Sequence, residues 1–281
     1  MKSKAAYLAV PGAVFMFISL GLVIVYTLVV SFWSMKGFIM VPSWTVENYV
    51  KIFLNWSFLS TILFTIKETF ILLVIVLIIS YPVAYFLARV IKSNRLKLIL
   101  LMLCIIPFWT SYITRMVTWM PMLGREGALN SIMMAMGIID KPVSILLFSE
   151  PAMIFVMVFL YSVFCVGPIY FSMARIEEEV IESAQDLGAG GFQAFIHVIV
   201  PLSLPGVATG AFFVIVMVMG EYATPAIIGG NKFPMIGNNI MAQSLIMQWT
   251  PASAYSIILM GLTLIFVIIL FRLINIQKLL R

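Results

Sequence analysis

Charge is scarce in this chain. Only 10% of its 281 residues are Asp, Glu, Lys or Arg, against 63% hydrophobic ones, whereas soluble domains carry about 25% charged and about 45–50% apolar residues. With a mean hydropathy of +1.13, that shortage excludes a soluble globular protein and leaves a polytopic membrane protein. Cysteine is nearly missing too. Cys104 and Cys165 sit in separate apolar runs, make no metal motif and read as inert core residues. The one histidine, His197, has no second His, no Cys and no carboxylate cluster to act with. The chain has no Gly-rich phosphate loop and no paired nucleophile and base. No catalytic set, metal site or cofactor is therefore expected in it. The net charge of +6 reads as orientation in a lipid bilayer rather than as a nucleic-acid surface.

What is present is a set of apolar runs, each near or above the roughly twenty residues that cross a bilayer. They predict an all-α transmembrane fold, a single domain over 1–281, with six spans at about 8–33, 62–88, 98–120, 151–171, 202–222 and 252–271. The first run is longer than a signal-peptide core and is followed by no small-x-small cleavage site, so it reads as an uncleaved span. Trp33 at the edge of segment 34–60 and Trp44 and Trp56 within it mark an outer loop close to the membrane surface, since tryptophan favours the membrane–water boundary. Arg89, Lys92, Arg95 and Lys97 crowd one short loop that holds no acid. With the N-terminus inside, ten of the 17 Lys and Arg residues fall on the inner side. The excess of Lys and Arg marks the cytoplasmic face, so both termini and segment 175–201 are expected there.

Segment 175–201 is the longest polar interruption between spans. Ile176, Val180, Ala184 and Leu187 recur at helical spacing as one apolar face, opposite Glu177, Glu178, Glu182, Gln185 and Asp186. Gly188 ends the helix, and Phe192–Val200 runs on to Pro201. Two readings fit: a helix resting on lipid headgroups, or a peg for a groove on a soluble partner. Glu182-Ser183-Ala184, then Gly188, then Val198-Ile199-Val200-Pro201 resembles the signature of ABC importer permeases. That signature runs Glu-Ala-Ala, three residues, Gly, nine residues, Ile, one residue, Leu-Pro. The spacing fits throughout, with Ser183 for Ala, Val198 for Ile and Val200 for Leu as departures. The resemblance implies a cytoplasmic coupling helix docked on an ATP-hydrolysing subunit through Glu182, Ser183, Ala184, Asp186, Leu187, Gly188 and Pro201.

Ionisable groups within spans are expensive and usually face a pathway or a partner. Lys67 and Glu68 open the second span, Arg115 lies in the third and Glu221 closes the fifth. Lys67 reads as a snorkelling or helix-locking charge. Glu221, between Gly220 and Tyr222, either faces a cationic solute or pairs with Arg115. Phe108, Trp109, Tyr112, Trp119 and Tyr222 stand at the same level. They suit an organic cation through cation–π attraction, and equally suit an interfacial belt.

Further matches narrow the resemblance. Ile106-Pro107-Phe108-Trp109-Thr110 with Arg115, Gly127-Ala128-Leu129-Asn130 and Gly137-Ile138-Ile139-Asp140-Lys141-Pro142 are similar to the spermidine/putrescine importer permeases. So are Met219-Gly220-Glu221-Tyr222, Gly229-Gly230 and Ile236-Gly237-Asn238. The family implies a six-span type I importer subunit of the bacterial inner membrane, with span one peripheral. Its implied partners are a second, related permease, two ATP-binding cassette subunits that carry the ATP and Mg, and a periplasmic solute-binding protein. Glu221, Tyr222, Trp109, Tyr112, Arg115 and Glu68 are the expected pathway residues. An opine, a phosphonate or iron is the alternative solute. An ion-driven secondary transporter is the alternative class, although no inverted repeat is visible.

Overall fold

The structure is a computed structural model that describes residues 2–274, and of residues 2–9, 13, 107 and 108 the backbone alone. Lys278 and Arg281, which entered the charge count, lie outside the described residues, as do the side chains of Lys2, Lys4 and Phe108.

Helix α1 (Lys2–Ser31) leads to a hairpin of β1 (Ser34–Lys36) and β2 (Ile39–Val41), in which Ser34 pairs with Val41. Helix α2 (Glu47–Leu54) follows. Asn48 stitches it to the end of α1 by donating to the Ser31 and Trp33 carbonyls at 2.9 and 2.8 Å. Helix α3 (Trp56–Tyr85) is capped by the Asn55 side chain and runs on through a π turn, Phe86–Val90. Next come α4 (Asn94–Ile105), a 3-10 turn (Ile106–Trp109), α5 (Tyr112–Val117), α6 (Trp119–Leu123) and α7 (Ala128–Ala135). Helix α8 (Glu150–Ala174) precedes α9 (Glu178–Asp186) and α10 (Gly191–Ala194), which passes through a π turn, Phe195–Ile199, into α11 (Val200–Met219). Helices α12 (Ala223–Ile227), α13 (Ile236–Leu245) and α14 (Trp249–Ile274) complete the described chain.

Five helices among the described residues are long and apolar enough to cross a membrane: Val10–Ser31, Trp56–Val90, Glu150–Ala174, Gly191–Met219 and Trp249–Ile274. They match five of the six expected spans. The third, 98–120, is a broken rod. Pro107 supplies no N–H and disfavours helix before it, so α4 stops at Ile105 and the chain turns through Ile106–Trp109 before α5. The twelve residues of α4 reach only about 18 Å at 1.5 Å per residue. The loops expected at 121–149 and 223–250 also fold, into α7 and into α12 with α13.

The core is the packing of α3, α8 and α11 around Leu72, Val76, Met153, Val156, Met157, Ile169, Val214 and Val218. Contacts of Lys67 with Glu150, Ser80 with Ser162 and Arg89 with Met173 set α3 and α8 side by side in parallel. Helix α11 crosses α8 the other way, and small residues let it approach. A Cβ on Gly206 would lie 2.5 Å from the Pro168 carbonyl, and one on Gly210 would lie 2.7 Å from Cys165 Sγ. Close backbone approach of this kind is how membrane helices gain packing energy without a hydrophobic driving force. Helix α1 leans on α14. Only 6% of its apolar stretch is buried and none of that of α14, against 56% for α8, so both lie at the outside of the bundle in this single chain.

Candidate functional site: a buried carboxylate node, a cavity and a polar peg

Glu221 sits in the break between α11 and α12 and is 4% exposed. Its Oε1 accepts the Ala223 and Thr224 N–H groups at 2.9 and 3.0 Å, which caps α12. Its Oε2 accepts the hydroxyls of Tyr112 on α5 and Tyr161 on α8. The Tyr112 hydroxyl also lies 2.9 Å from Thr224 Oγ1. Four donors thus hold one carboxylate. A buried charge is tolerable only with such satisfaction.

Tyr112, Tyr161 and Arg115 turn toward a cavity of about 410 Å³, completed by Thr110, Leu160, Phe164 and Met217. Tyr112 and Arg115 thus share the lining of one cavity, and Tyr112 and Tyr161 link that lining to Glu221. Trp109 is 87% exposed on the 3-10 turn, and Tyr222 is half exposed with its carbonyl held by Asn238 Nδ2 at 2.7 Å. Trp119 packs edge-on against Phe155 and at a tilt against Phe159, outside the cavity lining. Sequence reasoning missed Tyr161 and Phe164: within the apolar run of α8 an aromatic reads as packing.

Glu68 lies elsewhere, fully buried on α3. Lys67 Nζ is 3.2 Å from Glu68 Oε1 and 2.7 Å from Glu150 Oε1 at the start of α8. Glu150 was not expected in a site, because it reads as the edge of a loop.

The polar segment forms the opposite end of the bundle. Glu177 is extended (φ −66°, ψ 143°), so α9 begins at Glu178 and its helical phase does not include Ile176. This corrects the expected apolar face. Ile176 and Ile181 point inward and pack with Ala194 and Ile199. Ala184 is half-buried, while Val180 is 42% and Leu187 90% exposed. Glu182, Ser183 and Asp186 are exposed alongside them. Helix α9 ends in a Schellman motif. Ala189 N–H bonds the Ala184 carbonyl at 3.0 Å, Gly188 N–H bonds that of Gln185 at 2.8 Å, and Gly188 takes φ +91°. That left-handed conformation is the one glycine adopts freely. Pro201, the second residue of α11, lacks the N–H that would close on His197, and the π turn Phe195–Ile199 lies immediately before it.

Arg89, counted from sequence only as an orienting charge, ties this end together. It donates to the Met173 and Ile176 carbonyls at 2.8 and 2.7 Å and pairs with Glu178 at 3.0 Å. The π turn that ends α3 thus grips the end of α8 and the start of α9. His197 Nδ1 lies 3.0 Å from the Gln193 carbonyl. Among the described residues no group of three His, Cys, Asp or Glu side chains is placed to hold a metal ion.

No family profile matches the chain. Curated relatives do. The chain is 34% identical over 237 residues to the spermidine/putrescine transport system permease protein PotB of Haemophilus influenzae, covering 84% of this chain and 80% of the relative. It is 34% identical over 225 residues to the PotB protein of Escherichia coli, covering 79% and 80%. It is 26% identical over 206 residues to the inner membrane ABC transporter permease protein YdcU of Escherichia coli, covering 68% and 64%. Among solved structures, a chain of a bacterial ABC transporter involved in import of the acidic polysaccharide alginate superposes with a TM-score of 0.76. The match has 15% identity over 98% of this chain and 96% of that one, and so speaks for the fold. The broken third rod, the five long helices, the polar peg and these relatives agree: the chain belongs to the family of membrane-spanning ABC importer permease subunits that includes the PotB proteins.

Proposed function

We propose that the chain passes polyamines, spermidine- or putrescine-like organic cations, across the bacterial inner membrane as one permease of a type I importer. The observation that carries this reading is the 34% identity to PotB proteins across about four-fifths of both chains. Its partners are two ATP-binding cassette subunits that bind ATP and Mg, a second, related permease and a periplasmic solute-binding protein. A solved neighbour of the same fold was crystallised with an alginate pentasaccharide-bound periplasmic protein. Both termini and α9 face the cytoplasm, where ten of the 17 basic residues are grouped.

In this reading α9 is the coupling peg. Glu182, Ser183, Asp186 and Leu187 are offered to the ATPase, with Ala184 at the edge, and Gly188 and Pro201 shape the return into α11. Nucleotide-driven closure of the ATPases draws the peg inward, and Arg89 passes the movement to α3 and α8. The spans then open to the periplasm and take solute from the binding protein; hydrolysis resets them. Glu221, Tyr112, Arg115, Tyr222, Trp109 and Glu68 line or frame the route. Gly188→Val forces a β-branched residue into φ +91°. It should abolish uptake while the protein remains inserted; normal uptake of putrescine in reconstituted vesicles sinks the assignment.

One observation favours a second solute class. Among the described residues that line the cavity the charged one is Arg115, whose guanidinium suits an anionic group of an opine or a phosphonate. Titrating the cognate solute-binding protein with spermidine, putrescine and a phosphonate decides between them.

A further inference from the structure

Lys67 is held as a bound ammonium would be. Its Nζ lies 2.7 Å from Glu150 Oε1, 3.2 Å from Glu68 Oε1 and 4.6 Å from the centre of the Phe64 ring. Two carboxylates and an aromatic face are the groups that recognise a primary ammonium. Glu68 is fully buried and neither of its oxygens has a hydrogen bond, which leaves the Lys67 ion pair as its compensation. The burial is one-sided: the Lys67 side chain is 46% exposed and that of Glu68 is not exposed. The lysine can swing out to water, and the carboxylate cannot follow. Within ion-pair distance two carboxyl groups face one ammonium.

We propose that Glu68 and Glu150 form an ammonium station at the end of the bundle opposite α9. Lys67 fills it in the solute-free chain, and an ammonium group of the transported cation takes it over. The station rests on the organic-cation reading above and adds to it a specific place on α3 and α8. Lys67 is then a resident stand-in for solute rather than only a tie between helices.

The test uses the assembled importer in nanodiscs without its solute-binding protein, with radiolabelled putrescine as the probe. Lys67→Met removes the resident ammonium and keeps the length of the side chain. It should bind putrescine about tenfold more tightly than the parent, since a site filled most of the time loses affinity in proportion. Adding Glu68→Gln should bring affinity below that of the parent. Equal affinity in Lys67→Met and parent overturns the station. If Lys67→Met does not co-purify with the ATPase subunits, the parent complex decides. N,N,N′,N′-tetramethyl-1,4-diaminobutane, which reductive methylation does not consume, should speed methylation of Lys67 severalfold by mass spectrometry; an unchanged rate overturns the station. Tighter putrescine binding by Lys67→Met, with no uptake of any diamine by the parent importer, keeps the station and refutes the polyamine reading.

Discussion

Glu221 is a charge made tolerable inside an oily bundle by two tyrosines and the start of a one-turn helix. Hydrogen bonds to a charged group contribute about 1.5–3 kcal/mol each. Tyr161→Phe deletes one of them, and its unfolding midpoint in detergent should fall by the equivalent of about 1.5 kcal/mol. Glu221→Ala leaves two hydroxyls and two N–H groups without their acceptor and should fall further, by about 3 kcal/mol; an unchanged midpoint would show that the node does not brace α5, α8 and α12. Half of this node was legible. Glu221 and Tyr112 stood out as a carboxylate and an aromatic at one level of two spans. Tyr161 did not, because its partner lies sixty residues away and the surrounding run offers no local sign of a polar contact. Arg89 and Glu150 were passed over for the same reason: a charge at the end of a span looks like orientation until its partner is seen.

At the scale of one element, α9 separates anchoring from display. Ile181 is buried among Ala194, Ile199 and Ile176, whereas Leu187 is 90% exposed. Ile181→Glu should therefore destabilise the chain itself and lower the yield of inserted protein. Leu187→Glu should leave the unfolding midpoint unchanged and abolish co-purification with the ATPase subunits. Retained co-purification with Leu187→Glu would remove the exposed edge from the coupling model. The helix and its glycine stop were readable from spacing, and Gly188 has the positive φ that its place after the last helical residue implied. The direction of the apolar face was not readable, because one extended residue, Glu177, resets the helical phase and no periodicity count registers it.

At the scale of the molecule, α8 and α11 are the axis, and their approach depends on glycine. Gly206→Leu sets a branched side chain against the Pro168 carbonyl and Ser172, where even a Cβ would sit 2.5 Å away. It should separate the two helices and prevent recovery of a folded monomer, whereas Gly261→Leu, with open space around it, should be silent in the same size-exclusion assay. Five spans were legible because each is one uninterrupted apolar helix. The third was legible only as hydrophobicity, since Pro107 divides it, and the short helices α12 and α13 are placed by contacts distant in sequence, with α8 and α5 and with α3. The divided rod has a cellular consequence. Backbone that is not helical at membrane depth must be sheltered by protein or line water, and here it carries the exposed Trp109. A copy made without its sister permease bares that flaw to lipid, so pulse-labelled chain should decay faster in cells lacking the sister gene than in cells that make both.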